Sequence, residues 1–172
     1  MEEKYTQMVE DCRRHDREAM RRLYEATAPM AMGVCMRYCR NRDTAQDVMQ
    51  DGYVKVYEGL SRLREPERVM AWVYQVMVNE CINHNKALEK TVSLDDMTEE
   101  PSVPPMDPFA DEEVVEALQQ LTSQQRTVFN LLEVEGLTDV EAAQQMNTTV
   151  ANVRTHFSRA CKVLRTILLK EK

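Results

Sequence analysis

Glycine is scarce in this chain, 4 in 172 residues, and no stretch alternates apolar and polar residues long enough to make a strand. A sheet is thereby excluded. The longest apolar run, APMAMGVCM at 28–36, falls far short of the ~20 residues a membrane helix needs, so stable membrane insertion is not expected. The N-terminus, MEEKYTQMVEDCRR, is charged throughout and has no signal-peptide pattern. The five cysteines form no C-x-x-C pair, which favours reduced thiols in a cytoplasm. Cys35 and Cys39 stand at i, i+4 with no histidine or second cysteine pair nearby. They read as small buried hydrophobes, and no metal or cofactor is expected. No Gly-rich phosphate loop, nucleophile–base pair or ligand cluster occurs, so the chain does not read as an enzyme. Positive charge is also lacking. The net charge of −7 is unusual for a free-standing DNA binder, because neutralising phosphates supplies most non-specific affinity.

What is present is helix-forming sequence. Hydrophobic residues make up 43% of the chain, enough for real cores, and methionine is plentiful at 12. The expected fold class is all-α.

The most informative stretch is LTDVEAAQQMNTTVANVRTHFSRACKVLR, 137–165. Thr138 and Glu141 form a T-x-x-E capping box, which starts a short helix at Asp139. Asn147 stands where the chain must turn and tolerates the left-handed conformation. Thr149 is a good N-cap for a longer helix. In that helix Val150, Val153, Phe157, Ala160 and Leu164 make one apolar stripe, and Asn152, Arg154, Thr155, Arg159 and Lys162 face outward. A short helix, a turn and a longer helix with amides, hydroxyls and guanidinium groups near its start is the layout of a helix-turn-helix. Arg pairs bidentately with guanine and Asn with adenine, while Arg and Lys further along reach phosphates. The alternative is an ordinary αα-hairpin with a solvated face, against which stands the basic run from Thr149 to Lys172.

Upstream, 4–27 reads as one or two helices carrying Arg13, Arg14, Arg17, Arg21 and Arg22, a solvated face or a contact for nucleic acid. Pro29 is expected to open a new helix running to about Arg40. Asp43 with Gln46 is expected to cap the next helix, whose outer face carries Asp47, Gln50, Asp51, Lys55 and Glu58. After a polar break at 64–68, a helix follows with Trp72, Val73, Val76, Met77 and Ile82 inward and Asn79, Asn83 and Lys86 outward. Residues 89–110 contain Pro101, Pro104, Pro105 and Pro108 and excess acid, the composition of an extended linker. The last part begins near Asp111, where Val114, Val115, Leu118 and Leu121 form a stripe. A second capping box follows at Thr122 and Gln125, and Gly136 closes the helix it starts. The expected organisation is 1–88, a helical domain, then 89–110, the linker, then 111–172, a helix-turn-helix domain.

These residues carry a resemblance. ALQQLTSQQRTVFNLLEVEGLTDVEAAQQMNTTVANVRTHFSRACKVLR resembles region 4 of bacterial RNA polymerase sigma factors. TAQDVMQDGYVKVY and MAWVYQVMVNECIN resemble region 2. The size, with only a linker between the two regions, is similar to the extracytoplasmic-function (ECF) group. The resemblance implies a factor that binds core RNA polymerase and directs it to promoter DNA. It implies polymerase binding at Asp47, Gln50, Asp51 and Lys55, and −10 element reading at Arg68, Asn79, Asn83 and Lys86. It implies −35 element reading at Thr149, Asn152, Arg154 and Thr155, with Arg159 and Lys162 on phosphates. It suggests an anti-sigma partner. Three positions depart from the family pattern: only Lys86 and Lys90 follow the Asn79 helix, Gln46 replaces an acidic residue, and Cys161 stands where a basic residue is common. The alternative of another class is a stand-alone helix-turn-helix regulator that binds duplex DNA without polymerase.

Overall fold

In the computed structural model, residues 2–92 and 112–170 are described, and every element among them is helical. The order is α1 (Glu2–Arg13), α2 (Arg17–Tyr38), α3 (Arg42–Gly59), two 3₁₀ turns (Leu60–Arg62 and Pro66–Arg68) and α4 (Val69–Val92). Then come α5 (Glu112–Gln119), α6 (Ser123–Phe129) running into a wide π turn (Asn130–Val134), α7 (Asp139–Met146) and α8 (Val150–Lys170). The segment expected as a linker lies outside the described residues except at its start. There α4 continues to Val92, beyond the expected boundary at 88. The run Ala87, Leu88, Glu89, Lys90 is made of strong helix formers, which explains the extension.

α2, α3 and α4 pack as a three-helix core, with α1 laid across α2 and the 3₁₀ turns. Val9, Leu23, Val34, Val56, Val73 and Met77 are fully enclosed there. α3 and α4 meet closely at Gly52, where an added Cβ would fall 2.5 Å from the Met77 sulfur. Two hydroxyls tie α2 to α3: Thr27 Oγ1 lies 2.6 Å from the Tyr53 hydroxyl, and Tyr57 donates to the Met20 carbonyl at 2.9 Å.

Three local expectations are corrected. Pro29 does not open a helix; it sits inside a continuous α2. Burial on both sides of it, Leu23 and Thr27 before, Ala31 and Val34 after, keeps the helix going past the proline. α3 is capped by Asn41, whose side chain accepts from the Thr44 amide at 2.8 Å, so Asp43 lies in the first turn instead. Arg13 is neither a solvated charge nor free for nucleic acid. Its Nε donates to the Leu60 carbonyl at 2.9 Å and its terminal nitrogen to the Leu63 carbonyl, which fixes the loop before α4. Arg21 does lie on a solvated face, paired with Glu18 and Glu25.

The later helices pack on one another, α6 and α7 against α8. They also pack against the first group: one apolar cluster runs from Val34, Tyr38 and Val73 into Val115, Val128, Leu131 and Val153.

Candidate nucleic-acid and polymerase interface

The helix-turn-helix forms as its sequence dictates. Thr138 caps α7 by accepting from the Glu141 amide at 3.3 Å, and the Glu141 carboxylate accepts in return from the Thr138 amide at 2.8 Å. Asn147 adopts φ 53°, ψ 49°, and the Thr148 amide then reaches back to the Ala143 carbonyl at 2.9 Å. Thr149 caps α8, accepting from the Asn152 amide at 3.2 Å. The second capping box, Thr122 with Gln125, is likewise formed, and Gly136 takes φ +70° where the π turn ends.

On α8, Val153, Ala160 and Leu164 are buried, and Thr149, Asn152, Arg154, Thr155, Arg159 and Lys162 are exposed. At 100° per residue, Asn152, Thr155, Arg159 and Lys162 fall on one strip, and Arg154 lies roughly 110° round the helix from it, beside Arg165. Arg154 Nε pairs with the Asp139 carboxylate of α7 at 2.7 Å, and the Asn152 amide donates to Thr148 Oγ1 at 3.1 Å. His156, half-buried beside that strip, has its pKa lowered by burial first and then by the Arg159 cation.

In the first group, Asp47, Gln50 and Asp51 are exposed along the outer side of α3. Lys55 is exposed too, but its ammonium pairs with Glu80 of α4 rather than with the acidic row. Below that pair opens a cavity of about 300 Å³ lined by Lys55, Arg62, Leu63, Trp72, Asn79 and Glu80. Trp72 rests on Gly59, where an added Cβ would meet the indole at 2.8 Å. Its ring therefore serves packing and forms a wall of the cavity at once.

The expected −10 residues are distributed unevenly. Asn79 is on the cavity rim, Asn83 is exposed one turn on, and Arg68 is exposed in the second 3₁₀ turn, paired with Glu65 at 2.7 Å. Lys86 does not face freely outward: its ammonium donates to the Gln145 carbonyl of α7 at 2.9 Å. The Asn79 amide oxygen likewise accepts from Gln145 Nε2 at 3.2 Å. Lys86 turns inward because α7 stands beside α4 and offers a carbonyl at the end of its last turn.

A second set of polar residues was not marked by the sequence reading. Arg126 is 3% exposed and donates to the carbonyls of Leu118, Leu121 and Tyr38 at 2.9, 2.8 and 3.1 Å. Burial lowers its pKa to about 10. Asn130 donates to the Arg37 carbonyl at 3.0 Å, and Asn85 to the Tyr38 carbonyl at 3.1 Å and to Thr127 Oγ1 at 2.8 Å. Glu135 accepts from the Tyr74 hydroxyl at 2.9 Å and from the Tyr38 hydroxyl at 3.3 Å. The one signal for this set is Asn85, a polar residue on the apolar stripe of Val78 and Ile82.

Comparison with known proteins fits this geometry. The profile of Sigma-70 region 2 matches residues 23–91, and that of Sigma-70 region 4 matches residues 111–164. RNA polymerase sigma factor SigV of Bacillus subtilis is 30% identical over 78% of this chain and 81% of its own length. This chain belongs to the sigma-70 family of RNA polymerase sigma factors. The sigma-H factor of Pseudomonas aeruginosa is 28% identical over 92% of the chain and 91% of its own. An ECF sigma-E factor of Haemophilus influenzae is 23% identical over 91% of both, and the sigma factor described here falls in that ECF group. The fold is that of the sigma factor RpoE of Bartonella quintana, solved with the anti-sigma factor NepR (TM-score 0.57, 18% identity, 88% of this chain and 98% of that one). CnrH, solved with the cytosolic domain of CnrY, is also similar (TM-score 0.51, 17% identity, 98% and 99%). Among the described residues no helix is long and apolar enough to cross a membrane.

Proposed function

We propose that this sigma factor divides its work between 1–88 and 111–172, with 89–110 between them as a tether. Asp47, Gln50 and Asp51 dock α3 on core polymerase, where an acidic and amide face complements a basic surface; Lys55 flanks it. The cavity beside Asn79 receives one unstacked base of the melted −10 strand. Trp72 and Leu63 offer apolar wall, while Asn79, Glu80 and Arg62 offer hydrogen-bonding edges. Arg68, Asn83 and Lys86 line the approach. α8 reads the −35 duplex: Asn152 and Thr155 face the bases from the exposed strip, Arg159 and Lys162 take phosphates, and Arg154 reaches a base once it leaves Asp139. Thr149 holds the helix start and contacts the backbone. The factor acts by binding rather than by catalysis, in the cytoplasm, and an anti-sigma protein is its natural antagonist, as RpoE was solved with such a partner.

The observation that carries this reading is the cavity with Asn79 at its rim, in the chain segment matched by region 2. The test is permanganate footprinting of a cognate promoter with core polymerase and the Asn79→Ala variant. Loss of −10 reactivity with retained −35 protection is expected. Unchanged melting removes Asn79 and the cavity from promoter opening.

A further inference from the structure

Between α3 and α4 the chain runs through residues 60–68, two 3₁₀ turns joined by a short non-helical stretch. Arg64, Glu65, Glu67 and Arg68 of that stretch are exposed. Such a connection keeps one shape only as far as its backbone is tied to something rigid. The tie comes from α1. Arg13 Nε donates to the Leu60 carbonyl at 2.9 Å, one terminal nitrogen donates to the Leu63 carbonyl, and Glu10 takes the other. The Leu60 carbonyl also accepts from the Leu63 amide at 3.3 Å, so Arg13 grips both ends of the first turn at once. A guanidinium suits this because its donors are fixed in one plane and meet several acceptors together. Glu10, one turn back on the same helix, steadies the fork.

The gripped turn is a wall of the cavity beside Asn79. Arg62 and Leu63 line that wall, facing Trp72, Asn79 and Glu80 of α4. Trp72 in turn rests on Gly59, the residue just before the turn. A shift of the turn therefore changes the width of the cavity opposite Asn79. A pocket chooses among bases by its shape and by polar edges held in place, so a loose wall costs choice. Among the described residues no side chain of α1 lines the cavity, and α1 lies ahead of the segment matched by region 2, 23–91. Arg13 can act on the cavity only through the turn it holds.

We propose that Arg13 is a positioning residue for −10 recognition: it clamps the Leu60–Leu63 turn, fixes that wall of the cavity relative to Asn79, and so sets base choice there. The inference rests on the role proposed above for the cavity, the holding of one unstacked base.

The test uses the whole chain and two readouts. Trp72 is the only tryptophan in the sequence, so its fluorescence reports on the cavity without DNA. In Arg13→Met its emission should move to the red and acrylamide quenching should steepen, at unchanged helical circular dichroism. With core polymerase, transcription is then compared across promoters substituted singly through the −10 element. Preference at one position should fall about tenfold, with the other positions kept. A role in helix packing alone would weaken all these promoters alike. Arg13→Lys keeps the charge but cannot meet both carbonyls in one plane; it should show the same changes to a lesser degree, and it stands in if the Met variant loses helix. Trp72 quenching that stays at the wild-type value overturns the clamp. So does equal weakening at every −10 position, or an unchanged preference where Asn79→Ala alters it. If Asn79→Ala and Arg13→Met both keep the wild-type preference, the role of the cavity itself fails, and that of Arg13 falls with it.

Discussion

The Arg126 guanidinium donates to the backbone carbonyl of Tyr38 at 3.1 Å, across 88 positions of sequence. A cation 3% exposed is held by carbonyl dipoles at two helix ends. Replacing it with Met keeps much of the volume but takes a charged donor from three carbonyls; those of Tyr38 and Leu118 keep the Asn85 side chain and the Leu121 amide, and that of Leu121 loses the donor it has here. Arg126→Met should lower unfolding free energy by about 2–4 kcal/mol, read from urea midpoints. A change under about 0.5 kcal/mol would mean those carbonyls are reached by water.

The tyrosines give a pH dependence with a definite sign. Burial, and for Tyr38 and Tyr74 the nearby Glu135 carboxylate, raise the pKa values of Tyr38, Tyr53 and Tyr74, that of Tyr74 to about 12. The unfolded chain releases these protons near pH 10, so above that pH it binds fewer protons than the folded chain, and stability falls as pH rises. Arg126 works the other way above about pH 10, since its folded pKa is the lower one. With Tyr57 raised as well, four raised phenols outweigh one depressed guanidinium, so urea midpoints should drop above pH 10. Tyr74→Phe should make that drop shallower. An equal slope in the variant would show that Tyr74 is solvated in the folded protein.

How much of this was legible in the sequence follows from distance along the chain. The helix-turn-helix rests on Thr138 with Glu141, Asn147 with its neighbours and Thr149 with Asn152, each group spanning no more than five positions, and local rules found each of them. The exposed row Asp47, Gln50, Asp51 was also readable, from helical period alone. The buried polar set around Arg126 was not, because Asn85 meets Thr127 across 42 positions and Tyr74 meets Glu135 across 61. Pro29 misled for a related reason: its local preference for a helix start yields to burial on both sides. The cavity beside Asn79 was invisible because its walls come from α3, the 3₁₀ turn and α4, closed by Trp72 resting on Gly59.

For −35 recognition, Arg154→Ala should cost about 1–3 kcal/mol of discrimination at one base pair, measured by competition among single-substitution promoters. Equal weakening on every promoter would make Arg154 a phosphate contact. Its present partner, Asp139 at 2.7 Å, must be given up on binding.

For docking, Asp51→Arg places a cation in the middle of the exposed acidic row of α3. Affinity for core polymerase should fall by tenfold or more, about 1.4 kcal/mol, with circular dichroism unchanged. Undiminished affinity would take Asp51 off the docking face.

Association with bacterial core RNA polymerase tests most directly whether this chain works as the promoter-selecting subunit of a polymerase. In gel filtration near physiological salt, the purified factor should co-migrate with core in a one-to-one complex. It should bind duplex promoter DNA poorly when alone, as its net charge of −7 requires. A folded factor that elutes separately from core while binding duplex DNA tightly by itself would contradict the account.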